Sequence, residues 1–253
     1  MECSGNPRGA HFGMIGVANW AGVSVGGLLR NAGLGGSGRV LISGFDEYST
    51  QPKTSVPGAS WVFSVEDLHN SRAFLASSMN GRALTADHGA PVRLVVPNWY
   101  GCCCIKWVNE IRVVPEDAVA TSQMREYASR THQQGIPELA REYEPAAIDT
   151  AAMPVRVEKW VVAGRSQYVV DGIVWGGTER IRALDIRFNP DEDYVPIDFV
   201  DPLSRGPLTF WQHVWQPAKT GLHRIRLRVA DPKVRSRRLD KGYYVRSVNI
   251  EKL

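Results

Sequence analysis

The sequence predicts an α+β domain of mixed sheets and short helices over residues 1–150, followed by an all-β sandwich over residues 151–253. Two observations carry this prediction. In the first part, apolar strand patterns alternate with helical signals, whereas after "AAIDTAAMP" the chain consists of alternating apolar and polar runs separated by Gly, Pro, Asn and Asp. The net charge of +4 also lies in the second part, because the first 150 residues are slightly acidic. The domain boundary is therefore expected near Ala151.

The first part contains six segments with recognisable local signals. "SVGGLLRNAGL" predicts a short helix and "RVLISGFD" a strand. In "SVEDLHNSRAFLASSMNG", Ser64 is the expected N-cap, with Asp67 three residues later, of a helix that ends in a turn. "PVRLVVPNWYG" and "CIKWVNEIRVV" predict two strands joined by a turn, and "DAVATSQMREYASRTHQQG" predicts a helix or an ordered loop.

The second part contains short strands at the spacing of a sandwich. The runs are "VRVEKWVVAGRSQYVVDGIVWGG", "IRALDIRFN", "GLHRIRLRVAD" and "YYVRSVNIEKL". Within the third run, Arg224, Arg226 and Arg228 fall on one strand face. Because no aromatic residues are interleaved with them, a solvated face or a protein interface is favoured over nucleic-acid binding.

Bulk composition excludes several classes of protein. Of the 253 residues, 43% are hydrophobic and 22% charged, which is typical of a globular protein with a sizeable core. No apolar run reaches the length of a membrane span, and no secretory signal is visible after Met1.

The four cysteines predict neither a disulfide framework nor a zinc site. Cys3 stands alone, and Cys102, Cys103 and Cys104 are consecutive, without the spacing of paired metal ligands. The consecutive three are interpreted as small, half-buried strand residues.

Two short motifs resemble catalytic signatures but lack the required context. "GLGGSG" matches a dinucleotide fingerprint, yet it follows a helix and precedes a strand, so it is interpreted as a turn. "GVSVG" matches a hydrolase elbow around Ser24, but no clear strand precedes it, and its candidate partners His132, His213 and His223 lie in undistinctive contexts. A hydrolase function is therefore not favoured.

A longer set of motifs carries a more specific signal. "ECSGN" in a loop, "GVANWAG", "SGFD" and "MNGRALTADHGAPVRLVVPNWYGCCCIKWV" occur in an order and spacing that resemble the sulfite oxidase family of molybdopterin enzymes. The resemblance covers essentially the whole chain. It implies a molybdopterin-binding domain over 1–150 and an immunoglobulin-like dimerisation domain over 151–253.

The resemblance implies a cofactor site. Cys3 matches the family's single thiolate ligand to molybdenum, the other ligands being the pterin dithiolene and oxo groups. His88 and Arg93 match a pterin-contacting pair, and Lys106 matches a lysine at the phosphate end. Asp46 matches a residue that hydrogen-bonds the pterin.

On the substrate side, the resemblance implies an anion pocket lined by Arg8, Trp20 and Tyr127, with Tyr100 as the competing tyrosine. The implied reaction is oxygen-atom transfer that converts sulfite to sulfate, with electrons passed to a separate cytochrome c because no haem-attachment motif is present. The alternatives are a nitrate-reductase-like or other-substrate molybdoenzyme, and an inactive fragment that acts only as a folded dimerisation or binding module.

The sequence also departs from the family pattern. The resemblance implies a further cofactor-binding segment before Met1, so the chain is expected to begin inside a longer gene product. Pro7-Arg8 stands where eukaryotic members have paired arginines, and Cys103 stands where many relatives have an arginine. "ECSGN" and "NWYG" look bacterial, which points to a periplasmic location and to substrates more varied than sulfite. A homodimer without nucleic-acid partners or a membrane span is expected.

Overall fold

The computed structural model describes residues 1–6, 14–45, 58–177, 181, 183–197 and 208–251. By contact clustering these residues form two units, one of residues 1–6 and 14–148 and the other beginning at Asp149. Both units are rich in sheet, and the helices are few and short. Among the described residues, no helix has the length and apolar character needed to cross a membrane.

The N-terminal unit is built on two antiparallel sheets. β4 pairs with β1, β5 and β6, and β2 lies between β3 and β7. The strands are β1 (Trp20–Ser24), β2 (Arg39–Gly44), β3 (Ser60–Ser64), β4 (Phe74–Met79), β5 (Arg82–Ala83), β6 (Arg93–Val95) and β7 (Val108–Val114). The helices are α1 (Val25–Asn31), α2 (Val65–Asn70) and α3 (Ser122–Tyr127).

Alternation along β2 sets the position of the core in this unit. Val40 and Ile42 are fully buried, while Leu41 between them is partly exposed. Phe63 of β3 packs against Trp99 with ring centroids 5.8 Å apart, and Leu68 of α2 joins the same cluster. Burial of these large side chains on one side of the sheet stabilises the scaffold of the site described below.

Several local predictions are confirmed. The "SVGGLLRNAGL" helix is α1, and "RVLISG" is β2. Ser64 caps α2, because its Oγ accepts a hydrogen bond from the Asp67 N–H at 2.9 Å.

The extent of one predicted helix is wrong. The helix expected after Ser64 ends at Asn70, and the following "FLASSM" is strand β4, paired between β1 and β6. The strands predicted in "PVRLVV" and "CIKWVNEIRVV" are present as β6, which pairs with β4, and β7, which pairs with β2.

Ser24 lies where a strand leads into a helix, so the expectation that no strand precedes it is wrong. β1 ends at Ser24 and α1 begins at the next residue. The Ser24 Oγ accepts the Gly27 N–H at 3.2 Å, and its φ of −59° and ψ of 124° are unstrained. This serine therefore acts as a helix cap.

The C-terminal unit contains two antiparallel sheets, with strand orders β12-β9-β8 and β11-β10-β13-β14. The strands are β8 (Ala151–Val162), β9 (Arg165–Trp175), β10 (Leu184–Arg187), β11 (Val195–Pro196), β12 (Leu208–Trp215), β13 (Gly221–Val229) and β14 (Arg246–Ile250). The predicted strand runs correspond to β8 and β9, β10, β13 and β14. Sequence analysis missed β11 and β12.

Aromatic packing joins the two sheets of this unit. Trp215 of β12 stacks on Phe188 with ring centroids 4.1 Å apart and meets the edge of the buried His223 of β13 at 4.8 Å. Gly172 of β9 lies directly against the Trp211 indole, where any side chain would collide with it. Glycine is required at this position because the ring occupies the space of a Cβ.

Candidate functional site

Cys3 sits in a tight turn that holds its thiol half-buried. The Cys3 N–H donates to the Met14 carbonyl at 3.0 Å, and the Asn6 N–H donates to the Cys3 carbonyl at 3.1 Å. The Gly5 N–H points at the Cys3 Sγ at 3.3 Å. The sulfur is therefore fixed by backbone contacts and remains partly accessible.

Tyr127 and Arg130 lie beside this turn. The position that a Gly5 Cβ would take is 3.6 Å from the Cys3 Sγ and 3.4 Å from an Arg130 Nη1, so the thiol and the guanidinium flank the same glycine. The Arg130 guanidinium lies 5.5 Å from the centroid of the Tyr127 ring. Thr121, whose Oγ1 accepts the Met124 N–H at 3.2 Å, caps the helix that ends at Tyr127.

Partial burial raises the pKa of the Tyr127 hydroxyl, and the nearby sulfurs of Cys102 and Cys3 raise it further, whereas Arg130 opposes the shift. The phenol therefore stays protonated and can donate a hydrogen bond at neutral pH. Sequence analysis missed Arg130. Its only signal was its place three residues after Tyr127.

Three of the four residues predicted to bind the cofactor, His88, Arg93 and Lys106, are brought together around Gly89. This glycine has a φ of +96°, and a Cβ there would lie 2.9 Å from the Lys106 Cβ and 3.1 Å from the Arg93 Cβ. The His88 carbonyl accepts a hydrogen bond from the Arg93 guanidinium at 3.3 Å. Only glycine combines this left-handed backbone with so close an approach.

Arg93 is the buried member of this group. Its Nη2 donates to the Cys104 carbonyl at 3.0 Å, and its guanidinium lies 5.3 Å from the centroid of the Trp20 ring. Burial lowers the pKa of Arg93. Its Nε is buried and has no hydrogen-bond partner.

Lys106 and His88 are more exposed. The Lys106 Nζ donates to the Asp87 carbonyl at 3.1 Å and lies 4.1 Å from the centroid of the Trp107 ring. The His88 Nδ1 is 2.7 Å from the Thr85 Oγ1. Both side chains are thus oriented by local contacts while keeping a polar atom available for a ligand.

Cys102 and Cys103 lie in a 3₁₀ turn, Gly101–Cys103, and Cys104 follows it outside any strand, so the interpretation of these cysteines as strand residues is wrong. The Gly101 N–H donates to the Glu2 carbonyl at 2.7 Å, which ties this turn to the Cys3 loop. Burial raises the pKa of the Cys103 and Cys104 thiols. Cys102 is half-buried, and a hydrogen bond from Cys103, with the two sulfurs 3.9 Å apart, lowers its pKa.

Three further predicted residues are Arg8, Asp46 and Tyr100. Arg8 and Asp46 lie outside the described residues. Tyr100, the competing tyrosine, is buried, and its hydroxyl is 2.9 Å from the His132 Nε2. The Cys3 sulfur is among the groups that raise the pKa of the Tyr127 hydroxyl.

These donors fit a molybdopterin cofactor. The site offers one soft thiol ligand, three cationic or imidazole side chains suited to an anionic pterin phosphate, and two buried polar atoms without partners, the Arg93 Nε and the Asn6 Oδ1. Within the described ranges, no group of three or more His, Cys, Asp or Glu side chains is arranged to hold a metal ion.

Comparison with known proteins shows what the chain is similar to. A family model described as "Oxidoreductase molybdopterin binding domain" matches residues 1–122. Human mitochondrial sulfite oxidase is 27% identical over 218 residues, which cover 73% of this chain. Over these residues the chain is a molybdopterin-binding oxidoreductase domain similar to sulfite oxidase. These matches indicate molybdenum bound to molybdopterin as its cofactor.

Other known proteins match different shares of the chain. The nitrate reductase [NADPH] of Beauveria bassiana is 26% identical over 83% of this chain and 27% of its own length. The chain spans only 39% of the length of the human sulfite oxidase. The sulfane dehydrogenase SoxCD of Paracoccus pantotrophus shares the fold, with a TM-score of 0.66 at 20% identity over the whole of this chain and 70% of that one.

Proposed function

We propose that this protein catalyses oxygen-atom transfer with its molybdenum cofactor and oxidises sulfite to sulfate. The observation that carries the proposal is the half-buried Cys3 thiol flanked by the Arg130 guanidinium and the Tyr127 ring. A metal ligand, a cation and a protonated hydroxyl at one place provide what a small oxyanion substrate needs beside a redox centre.

In this proposal, the residues of the chain divide into two groups. Cys3 provides the thiolate ligand, while His88, Arg93 and Lys106 hold the pterin and its phosphate, together with Asp46. When bound, the cofactor supplies the transferable oxygen and stores two electrons. Arg93 is held against Trp20 and the Cys104 carbonyl, so its charge is fixed before the cofactor arrives.

The second group receives the substrate. Arg8 and Arg130 pair with the sulfite oxygens, and the Tyr127 hydroxyl donates a hydrogen bond to the bound anion. The Trp20 ring lines the substrate pocket, and the Arg93 guanidinium packs over this ring. The substrate is thereby oriented beside Cys3.

Replacing Arg130 by glutamine is expected to raise KM for sulfite about 10- to 100-fold and to change kcat little, because a charge-assisted hydrogen bond to the substrate is lost. Arg125→Gln is the matched control, since Arg125 is exposed on α3 and next to Tyr143. Steady-state kinetics with equal molybdenum loading measure the difference. Equal KM values in both variants would contradict the role given to Arg130.

A nitrate-reductase-like reaction is the second candidate, favoured by the match of the Beauveria nitrate reductase over 83% of the chain. Sulfite would reduce the oxidised centre if the first candidate is right. Nitrate would reoxidise the chemically reduced centre if the second is right. Visible spectra recorded after each addition separate the two reactions, and a centre that responds to neither anion would point to another substrate.

The electrons released by sulfite are proposed to pass to a separate cytochrome c. Reduction of added cytochrome c in the presence of sulfite tests this step. Activity with a small-molecule acceptor but not with cytochrome c would leave the oxidation proposal standing and contradict this partner.

The C-terminal unit is proposed to be an immunoglobulin-like sandwich that forms a homodimer. By register, Phe210 and Val214 of β12 share one sheet face with Trp160 and Val162 of β8, and all four side chains are exposed. The same face also carries the exposed, hydrogen-bonded Arg156–Asp171 pair, so the proposed interface with a second copy is partly apolar and partly polar.

Replacing Phe210, which is 62% exposed, by aspartate is expected to shift the protein from dimer to monomer in light scattering. Exposed Leu222→Asp on the other sheet is the matched control and should leave the mass unchanged. A monomeric parent protein at micromolar concentration would contradict the dimer.

A further inference from the structure

Four arginines line one face of the sheet formed by β10 and β13. Arg224, Arg226 and Arg228 alternate along β13 with buried Ile225 and Leu227. Arg187 occupies the same face of β10, because the register places it opposite Arg226. We call Arg187, Arg224, Arg226 and Arg228 the arginine face.

The Asp185 carboxylate on this face already pairs with Arg228. Asp185 lies opposite Arg228, whose Nη2 and Nε donate to the Asp185 Oδ2 at 2.6 and 3.2 Å. The Tyr194 ring lies against two guanidiniums, 4.7 Å from that of Arg187 and 4.4 Å from that of Arg228. Arg228 is therefore satisfied, and Asp185 has little capacity to neutralise a second cation.

Arg187 and Arg226 remain without an anionic partner among the described residues. Arg187 donates from Nη1 to the Pro190 carbonyl at 3.3 Å, but its Nε is buried and has no hydrogen-bond partner. The Nη1 of Arg226 is also buried and unpartnered. Two like charges directly opposite across a strand pair destabilise a sheet, as do buried donors without acceptors.

We propose that Arg187 and Arg226 bind a small multivalent oxyanion of the sulfate or phosphate class. One such anion has enough acceptor oxygens for both guanidiniums and neutralises both charges at once. A small anion is favoured over a nucleic acid because the unpartnered donors are buried and lie on two adjacent strands. The site is on the C-terminal unit and is independent of the proposed catalytic reaction.

Calorimetric titration of the holoprotein with sodium sulfate and with inorganic phosphate, at low and constant ionic strength, tests this site. Binding is expected in the parent protein and should weaken at least about tenfold in Arg226→Gln, since a charge-assisted hydrogen-bonded contact is lost. Arg224→Gln is the matched control on the same face and should change the affinity less than about threefold. The same result is expected in an Arg130→Gln background, which separates this site from anion binding near Cys3.

Thermal unfolding gives a second readout. Sulfate should raise the Tm of the parent and of Arg224→Gln above the value in sodium chloride of equal ionic strength, and this increment should disappear in Arg226→Gln. If Arg226→Gln does not fold, Arg187→Gln replaces it. Equal weakening in Arg224→Gln and Arg226→Gln would show diffuse attraction and overturn the proposal, as would a parent protein that binds neither anion.

Discussion

Replacement of Cys3 by serine is expected to lower sulfite turnover at least about a hundredfold, because even partners outside the ligand sphere contribute up to that much at metal sites. The thiol is held by the Gly5 N–H at 3.3 Å and by the turn closed at Asn6, so the substitution removes the ligand without moving the backbone. X-ray absorption should show one sulfur neighbour fewer at molybdenum. Cofactor content should fall less than turnover, since His88, Arg93 and Lys106 are unchanged.

The matched control for this prediction is Cys102→Ser. Cys102 is also half-buried and lies in the turn tied to the Cys3 loop, but it is not given a ligand role. Its turnover should stay within about threefold of the parent protein, as expected for a substitution away from the ligand sphere. Loss of the sulfur neighbour in Cys102→Ser rather than in Cys3→Ser would mean that the wrong thiol has been assigned.

Replacement of Arg93 by methionine is expected to weaken cofactor retention about 10- to 100-fold and to lower the free energy of unfolding by about 1–3 kcal/mol. The guanidinium donates to the Cys104 and His88 carbonyls, packs on Trp20 and is only 7% exposed. Methionine retains much of the apolar stem but leaves both carbonyls without this donor. Molybdenum content after dialysis and denaturant unfolding measure the two effects.

Arg112→Met is the control for Arg93→Met. Arg112 is exposed on β7 and pairs with Glu110 at 3.1 Å on the surface, where such pairs contribute little. Stability and cofactor content should both be close to those of the parent protein. A destabilised Arg93→Met that keeps its cofactor would make Arg93 a structural residue only.

Local sequence signals predicted those elements in which the apolar pattern and the residues at the ends indicate the same type of structure. Val40 and Ile42 alternate with partly buried positions, and Ser64 precedes a helix with Asp67 at the capping distance. The β4 segment "FLASSM" carries no β-branched residue and follows a helix after only three residues, so its pairing between β1 and β6 could not be predicted locally. β12 did carry a signal, since Trp211 and Trp215 are both buried on one face.

The residues of the candidate site were likewise predicted from the sequence only in part. His88, Arg93 and Lys106 were predicted from one continuous motif, and the structure gathers them at Gly89. Arg130 was missed because its position beside Cys3 depends on tertiary folding that brings α3 to the N-terminal turn. The unpartnered donors of Arg187 and Arg226 depend on strand register, which a single sequence does not specify.

The most direct test of the central claim is molybdenum and pterin analysis of the protein purified from a host that makes the cofactor, with X-ray absorption on the same sample. About one molybdenum and one pterin per chain are expected, with a protein thiolate among the sulfur neighbours that is lost in Cys3→Ser. A folded protein from that host without molybdenum, or with molybdenum whose sulfur neighbours are the same in Cys3→Ser, would contradict the account.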